Sequence, residues 1–101
     1  MLVIQQEIVT SLRDMAGRGV APSQMLRDVL LRYNLEQPTS AFLAWHCMEA
    51  FGLDTCQVGA IFYWSFVGFG ELGDAQVDHF LGRHIREAAP KWSNFETTAH
   101  K

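Results

Sequence analysis

The sequence has few of the residues that mark several large classes of protein. It contains two cysteines in 101 residues, Cys47 and Cys56, far below the density of a disulfide-stabilised secreted domain. We expect both to be reduced thiols that fill the core. The longest stretch without a charged residue, 55–70, is shorter than the roughly 20 apolar residues of a membrane-spanning helix. We therefore expect neither disulfides nor a membrane anchor.

Basic residues are also scarce. Eight Lys and Arg stand against eleven Asp and Glu, a formal net charge of −3, and no stretch gathers the basic residues into a patch. Nucleic-acid binding depends on neutralising phosphates with such residues, so it is not expected. The first residues, MLVIQQEIV, have no basic flank and soon become polar, unlike a secretory signal. A cytoplasmic location is therefore expected.

Apolar residues recur at helical spacing along most of the chain. With 49% hydrophobic and 19% charged residues, the composition is that of one globular domain. The periodicity and the capping residues predict about five helices. They cover residues 2–16, residues 22–34, residues 38–51, residues 54–67 and residues 74–89. The prediction is an all-α, compact single-domain bundle over residues 1–90, followed by a C-terminal tail over residues 91–101 with Trp92 and Phe95 as anchors.

One segment allows a second interpretation. The run IFYWSFV in residues 61–67 has the aromatic and β-branched composition of a strand. No other run in the chain alternates apolar and polar residues or contains a hairpin turn, so a strand here would have nothing to pair with. We predict helix, and the strand alternative for residues 60–67 stays open at this point.

Three glycines follow this run at the spacing of a dinucleotide-binding turn. Gly68, Gly70 and Gly73 match G-x-G-x-x-G and precede a predicted helix, as a pyrophosphate-binding turn requires. The remainder of such a unit is missing, because only about a dozen residues follow the helix and they do not form a buried strand. A flexible loop between two helices is the better interpretation.

The residues that carry chemistry do not form a recognisable site. No pair has the C-x-x-C or H-x-x-x-H spacing of a zinc site. The adjacent His46 and Cys47 point about 100° apart on a helix and cannot easily share a proton. Asp74 and Asp78 begin a helix, where the helix dipole accounts for carboxylates. We therefore expect no catalytic residues, no metal and no cofactor. A metal site or a nucleophilic centre would draw on His46, Cys47, Cys56, His79 and His84.

Aromatic residues are more numerous than one small core requires. The chain contains three Trp, two Tyr and seven Phe, and two helices place them on two faces. On the third helix, one face contains Phe42, Trp45, His46 and Glu49. On the fourth helix, Tyr63 and Trp64 lie on the opposite face from Ile61 and Phe62. Tyr and Trp are common at interface hot spots. The predicted partner-binding residues are Phe42, Trp45, His46, Glu49, Tyr63 and Trp64.

A resemblance bears on the function. The stretch EAFGLDTCQVGAIFYW, residues 49–64, followed by GELGDAQVDHFL, residues 70–81, resembles small bacterial immunity proteins of polymorphic-toxin and contact-inhibition systems. This resemblance implies a small, acidic, non-catalytic cytoplasmic protein that binds and neutralises a cognate toxin. It implies no particular binding residue. Two alternatives remain, namely a helical homo-oligomerisation or adaptor protein with an aromatic dimer core, and a helical sensor that binds a small molecule between its aromatics.

Overall fold

The protein is all-α, as predicted. A computed structural model describes residues 4–33, 39–67 and 70–92. These residues form six helices, of which four are long. The bounds are α1 Gln6–Gly17, α2 Pro22–Tyr33, α3 Thr39–Phe51, α4 Gly59–Tyr63, α5 Asp74–Glu87 and α6 Ala89–Trp92. No helix within these residues is long and apolar enough to cross a membrane.

Helix α1 begins later than predicted. Its N-cap is Gln5, which has an extended backbone (φ −102°, ψ 116°), so the predicted start at Leu2 is wrong. The backbone N–H of Gln5 donates to the imidazole of His46 on α3 at 3.0 Å. Residues that begin a helix have free N–H groups that need an acceptor. A tertiary contact that residue spacing does not reveal supplies one here.

Helix α3 is the central helix of the bundle. It packs against α1, α4 and α6, which explains why its apolar residues occupy more than one face. Its fully buried side chains include Leu43, Cys47 and Phe51. Gly52 ends the helix in the left-handed region (φ 69°), where glycine is the favoured residue. The predicted bounds of this helix are therefore close to those observed.

Helix α4 is much shorter than predicted. It stops at Tyr63, and Trp64 adopts an extended backbone (φ −71°, ψ 124°), so the predicted continuation to Val67 is wrong. Two hydrogen bonds fasten the segment that follows. The N–H of Ser65 donates to Leu72 O, and the N–H of Leu72 donates to Tyr63 O, each at 2.9 Å. This forms an isolated parallel bridge between Trp64 and Leu72, with no strand among the described residues.

Gly70 makes this close approach possible. A Cβ atom at this position would lie 2.5 Å from the carbonyl oxygen of Tyr63 and 2.6 Å from its Cα, well inside van der Waals contact. Gly73 lies at the N-cap of α5, where its N–H donates to the Gln76 side chain at 2.8 Å. Gly70 therefore allows close backbone packing and Gly73 caps the start of α5, within a connection that is held by hydrogen bonds. Gly68 lies outside the described residues.

Helices α5 and α6 cover the other side of the core. The indole of Trp92, in α6, donates to Ile85 O at 2.9 Å and packs edge-on against Phe51 with the ring centroids 5.3 Å apart. Trp92 is thus a core anchor, and Lys91 and Trp92 belong to the helical domain. Phe95 and the remainder of the predicted tail lie outside the described residues.

Candidate functional site

The predicted aromatic face of α3 is divided in the structure. Trp45 is 51% exposed, and Glu49 on the next turn is also exposed. His46 is only 1% exposed. Phe42 is partly buried and stacks on the His46 ring with the centroids 4.2 Å apart. On this face, only Trp45 and Glu49 are therefore exposed to a partner.

His46 has a structural explanation instead. Its Nδ1 lies 2.8 Å from the carbonyl oxygen of Phe42, and its Nε2 lies 3.0 Å from the backbone nitrogen of Gln5. A carbonyl oxygen can only accept and an amide N–H can only donate. The imidazole must therefore be neutral with its proton on Nδ1. It joins the start of α1 to the middle of α3.

Tyr63 and Trp64, predicted as neighbours on one face, are separated by the end of α4. Tyr63 is 63% exposed, whereas Trp64 is fully buried. The indole N–H of Trp64 donates to Asp74 Oδ1 at 2.8 Å. A buried indole needs such an acceptor because an unpaired N–H in the core costs free energy. Trp64 therefore belongs to the core and Tyr63 to the surface.

The Asp74 carboxylate, at the first turn of α5, accepts three hydrogen bonds. Arg27 of α2 donates to both carboxylate oxygens, at 3.0 and 2.9 Å, and the indole of Trp64 makes the third bond. The Arg27 hydrogen bond and then the Trp64 hydrogen bond lower the pKa of the Asp74 carboxyl. The Arg27 guanidinium also lies 4.0 Å from the centroid of the Phe66 ring, at cation–π distance. A pyrophosphate at this helix start would face the Asp74 carboxylate, which argues further against the dinucleotide interpretation.

Between α4 and α5 lies a groove that the sequence did not reveal. Its volume is about 300 Å³, and its walls include the rings of Tyr63 and Phe80. Phe80 is 46% exposed. Val77, Leu81 and Ile85 already fill the core stripe of α5, and Phe80 lies on its flank. The other lining residues are Cys56, Gln57, Gly59, Ala60, Leu72 and His84.

The groove contains a thiol and an imidazole, but they are not a catalytic pair. Cys56 is exposed, so the prediction of two core-filling cysteines is wrong for this residue. No hydrogen bond joins it to His84, whose Nδ1 has no hydrogen-bond partner among the described residues and lies 3.7 Å from a Glu87 oxygen. An activated nucleophile requires a base within hydrogen-bond reach.

Cys47 and the remaining candidates also lack the features of a reactive centre. Burial raises the pKa of the Cys47 thiol to about 12, so it is protonated and unreactive in the folded protein. Within the described ranges, no three His, Cys, Asp or Glu side chains are placed to hold a metal ion. His79 is exposed and lies edge-on to Phe80.

Three acidic residues lie near the lining residues of the groove in the sequence or beside one of them. Asp54 and Glu71 are exposed and lie close in sequence to the lining residues Cys56 and Leu72. Glu87 lies beside His84 and also pairs with Arg83 at 3.3 Å. The ion pair with Arg83 offsets the charge of Glu87.

Comparison with known proteins adds nothing to this geometry. No family model matches the chain, and no match was found among curated proteins or among solved structures. The resemblance to immunity proteins therefore stays a prediction.

Proposed function

We propose that this chain is a non-catalytic protein-binding module that recognises its partner through the groove between α4 and α5. The observation that carries the proposal is the exposure of two large aromatic rings, Tyr63 at 63% and Phe80 at 46%, on one groove. Aromatic side chains supply a large contact area and are frequent at interface hot spots. In its specific form, the module is a cytoplasmic immunity protein and the partner is a cognate bacterial toxin.

The chemistry of the groove favours recognition over catalysis. Its thiol and imidazole make no hydrogen bond with each other, and its walls are mainly apolar. The exposed Asp54 and Glu71, close in sequence to lining residues, suit a partner with Lys or Arg beside an apolar patch. A standard interface takes roughly 800 Å² from each protein, whereas this chain has 6154 Å² of accessible surface. Such an interface would extend beyond the groove.

Trp45 and Glu49 form a second exposed patch, on α3. Both belong to the face predicted from sequence, and Trp45 is half exposed. Trp45→Ala therefore tests whether the partner contacts α3, whereas Tyr63→Ala and Phe80→Ala test the groove. Leu31→Ala is the matched control, because Leu31 is a large apolar residue of α2 that is 82% exposed and lines neither patch.

The experiment is co-expression with the product of the adjacent open reading frame, followed by co-elution and titration of the purified proteins. We expect rescue from toxicity, a 1:1 complex, and a loss of affinity of about 10-fold or more for Tyr63→Ala and Phe80→Ala. Leu31→Ala should bind like the wild type.

Two results would contradict parts of the proposal. A toxin that stays lethal and does not co-elute refutes the immunity function. A complex that forms equally well with the Tyr63 and Phe80 variants refutes the groove as its binding surface. Light scattering on the isolated protein tests the homo-oligomer alternative, since a dimer that these variants dissociate would assign the same rings to self-association.

A further inference from the structure

A second cavity lies on the other face of α5 from Phe80 and His84. Its volume is about 380 Å³, and it is bounded by the α1–α2 turn, the start of α2 and the middle of α5. Its apolar lining includes Val20, Met25 and Ile85, of which Met25 and Ile85 are buried. This volume is at the lower end of the range of ligand pockets, roughly 300–1,000 Å³.

Gly82 lies on the wall of this cavity. Gly82 is buried in the middle of α5, where glycine costs about 1 kcal/mol relative to alanine. A Cβ atom here would lie 3.2 Å from Arg86 Nη1 and 3.4 Å from Pro22 Cγ. The glycine therefore lets the start of α2 and the Arg86 guanidinium pack closely against α5.

Two side chains of opposite charge line the same cavity without pairing. Asp78 and Arg86 both lie on its α5 wall, and no ion pair joins them. Asp78 Oδ1 accepts the N–H of Ser23 at 2.7 Å, which caps the start of α2, and its Oδ2 makes no hydrogen bond to the described residues. Arg86 likewise has no hydrogen bond or ion pair in the described part of the chain. No described residue therefore competes with a ligand for its charge.

The spacing of the two charges suits a small zwitterion. The side chain of Arg86 runs toward the N-terminus of α5, so its guanidinium lies at the level of Gly82, one turn from Asp78. The four residues from Asp78 to Gly82 correspond to about 6 Å along the axis. A carboxylate bound to the guanidinium would then leave an adjacent ammonium group directed toward Asp78 Oδ2. An aliphatic side chain on the same ligand would meet Val20, Met25 and Ile85.

We propose that this cavity binds a free α-amino acid with an aliphatic side chain. Arg86 binds its carboxylate, Asp78 binds its ammonium group, and the apolar lining receives its side chain. Arginine matches carboxylates because its donors form a planar fork. The site is separate from the groove between α4 and α5, so it does not depend on the proposed protein-binding function.

The test uses L-leucine and two analogues, each of which lacks one charge. Isocaproate retains the carboxylate and the branched chain, and isoamylamine retains the ammonium group and the chain. Titrations of the ¹⁵N-labelled full chain should show saturable shifts of the Ala21 and Gly82 amides with leucine. Each analogue should bind at least about tenfold more weakly, because one charge-assisted hydrogen bond is lost.

Variants separate the two charges. Arg86→Gln and Asp78→Asn should each weaken leucine binding by at least about tenfold. Asn retains an oxygen that can accept the Ser23 N–H, so α2 keeps its cap. Arg83→Gln is the control, because Arg83 is an exposed arginine of the same helix that does not line the cavity. Three results would each overturn the proposal: no saturable shift with leucine, equal binding of isocaproate, or an Arg86→Gln variant that binds like the wild type.

Discussion

His46 provides the sharpest test of the structure, because its aromatic environment in the sequence suggested an exposed binding residue. His46→Phe keeps a planar ring of similar shape, so the stacking on Phe42 can persist. The change removes the bond from Nδ1–H to Phe42 O and leaves the N–H of Gln5 without its acceptor. A buried donor left unpaired costs about 1–3 kcal/mol.

We therefore expect His46→Phe to lower the free energy of unfolding by about 2 kcal/mol. For a domain of this size, that corresponds to a decrease in Tm of roughly 8–16 °C. Urea unfolding followed by far-UV circular dichroism measures the change. Long-range ¹H–¹⁵N correlation spectra of the wild type should show a neutral ring protonated on Nδ1.

The matched control is His79→Phe, the same substitution at an exposed histidine of α5. This variant should remain within about 0.5 kcal/mol of the wild type, as surface substitutions usually do. If His46→Phe is as stable as His79→Phe, then His46 does not join α1 to α3 and the reasoning is refuted. A ring protonated on Nε2 would refute the assigned tautomer.

Three further predictions concern the connection before α5 and the thiols. Gly70→Ala should cost about 1–3 kcal/mol of stability, because its Cβ would lie 2.5 Å from a backbone oxygen. Gly17→Ala is the control and should be neutral or slightly stabilising, since a Cβ there would have nothing within 4 Å. Equal effects of the two substitutions in urea unfolding would contradict this packing. Because the folded pKa of Asp74 is lowered from its ordinary value of 3.8, the stability it contributes is present above that value and is lost as the pH falls through the lowered pKa. In acid titrations, the difference in free energy of unfolding between the wild type and Asp74→Asn should therefore disappear below the lowered pKa. A difference that grows as the pH falls would contradict this prediction. Ellman's reagent at pH 8 should modify Cys56 rapidly in the folded protein and reach Cys47 only on unfolding, so rapid reaction of two thiols would place Cys47 at the surface.

Local signals were sufficient where a helix begins and ends with suitable residues. Helix α3 was predicted closely because Thr39 and Ser40 favour a helix start and Gly52 favours its end. Helix α5 was predicted equally well from Asp74 and the stripe that follows it. These signals act over one or two turns, so they depend little on the remainder of the fold.

The candidate site was predicted less well, because helical spacing assigns a residue to a face but not to a neighbour. Of the six predicted residues, Trp45, Glu49 and Tyr63 are exposed, whereas His46 and Trp64 are buried. Both buried side chains are polar enough to require partners, and those partners, Gln5 and Asp74, lie on other segments. Whether such a partner exists cannot be read from periodicity.

Composition, capping and spacing are local properties, so they were enough to predict the helical class, the single domain and the bounds of the central helix. The end of α4 depends on tertiary contacts, because Tyr63 and Ser65 form backbone hydrogen bonds with Leu72 rather than continuing the helix. That early end separates Tyr63 from Trp64 and leaves one ring in the groove and the other in the core. The pairing of backbone groups distant in sequence, which Gly70 permits, is the physical reason for the difference.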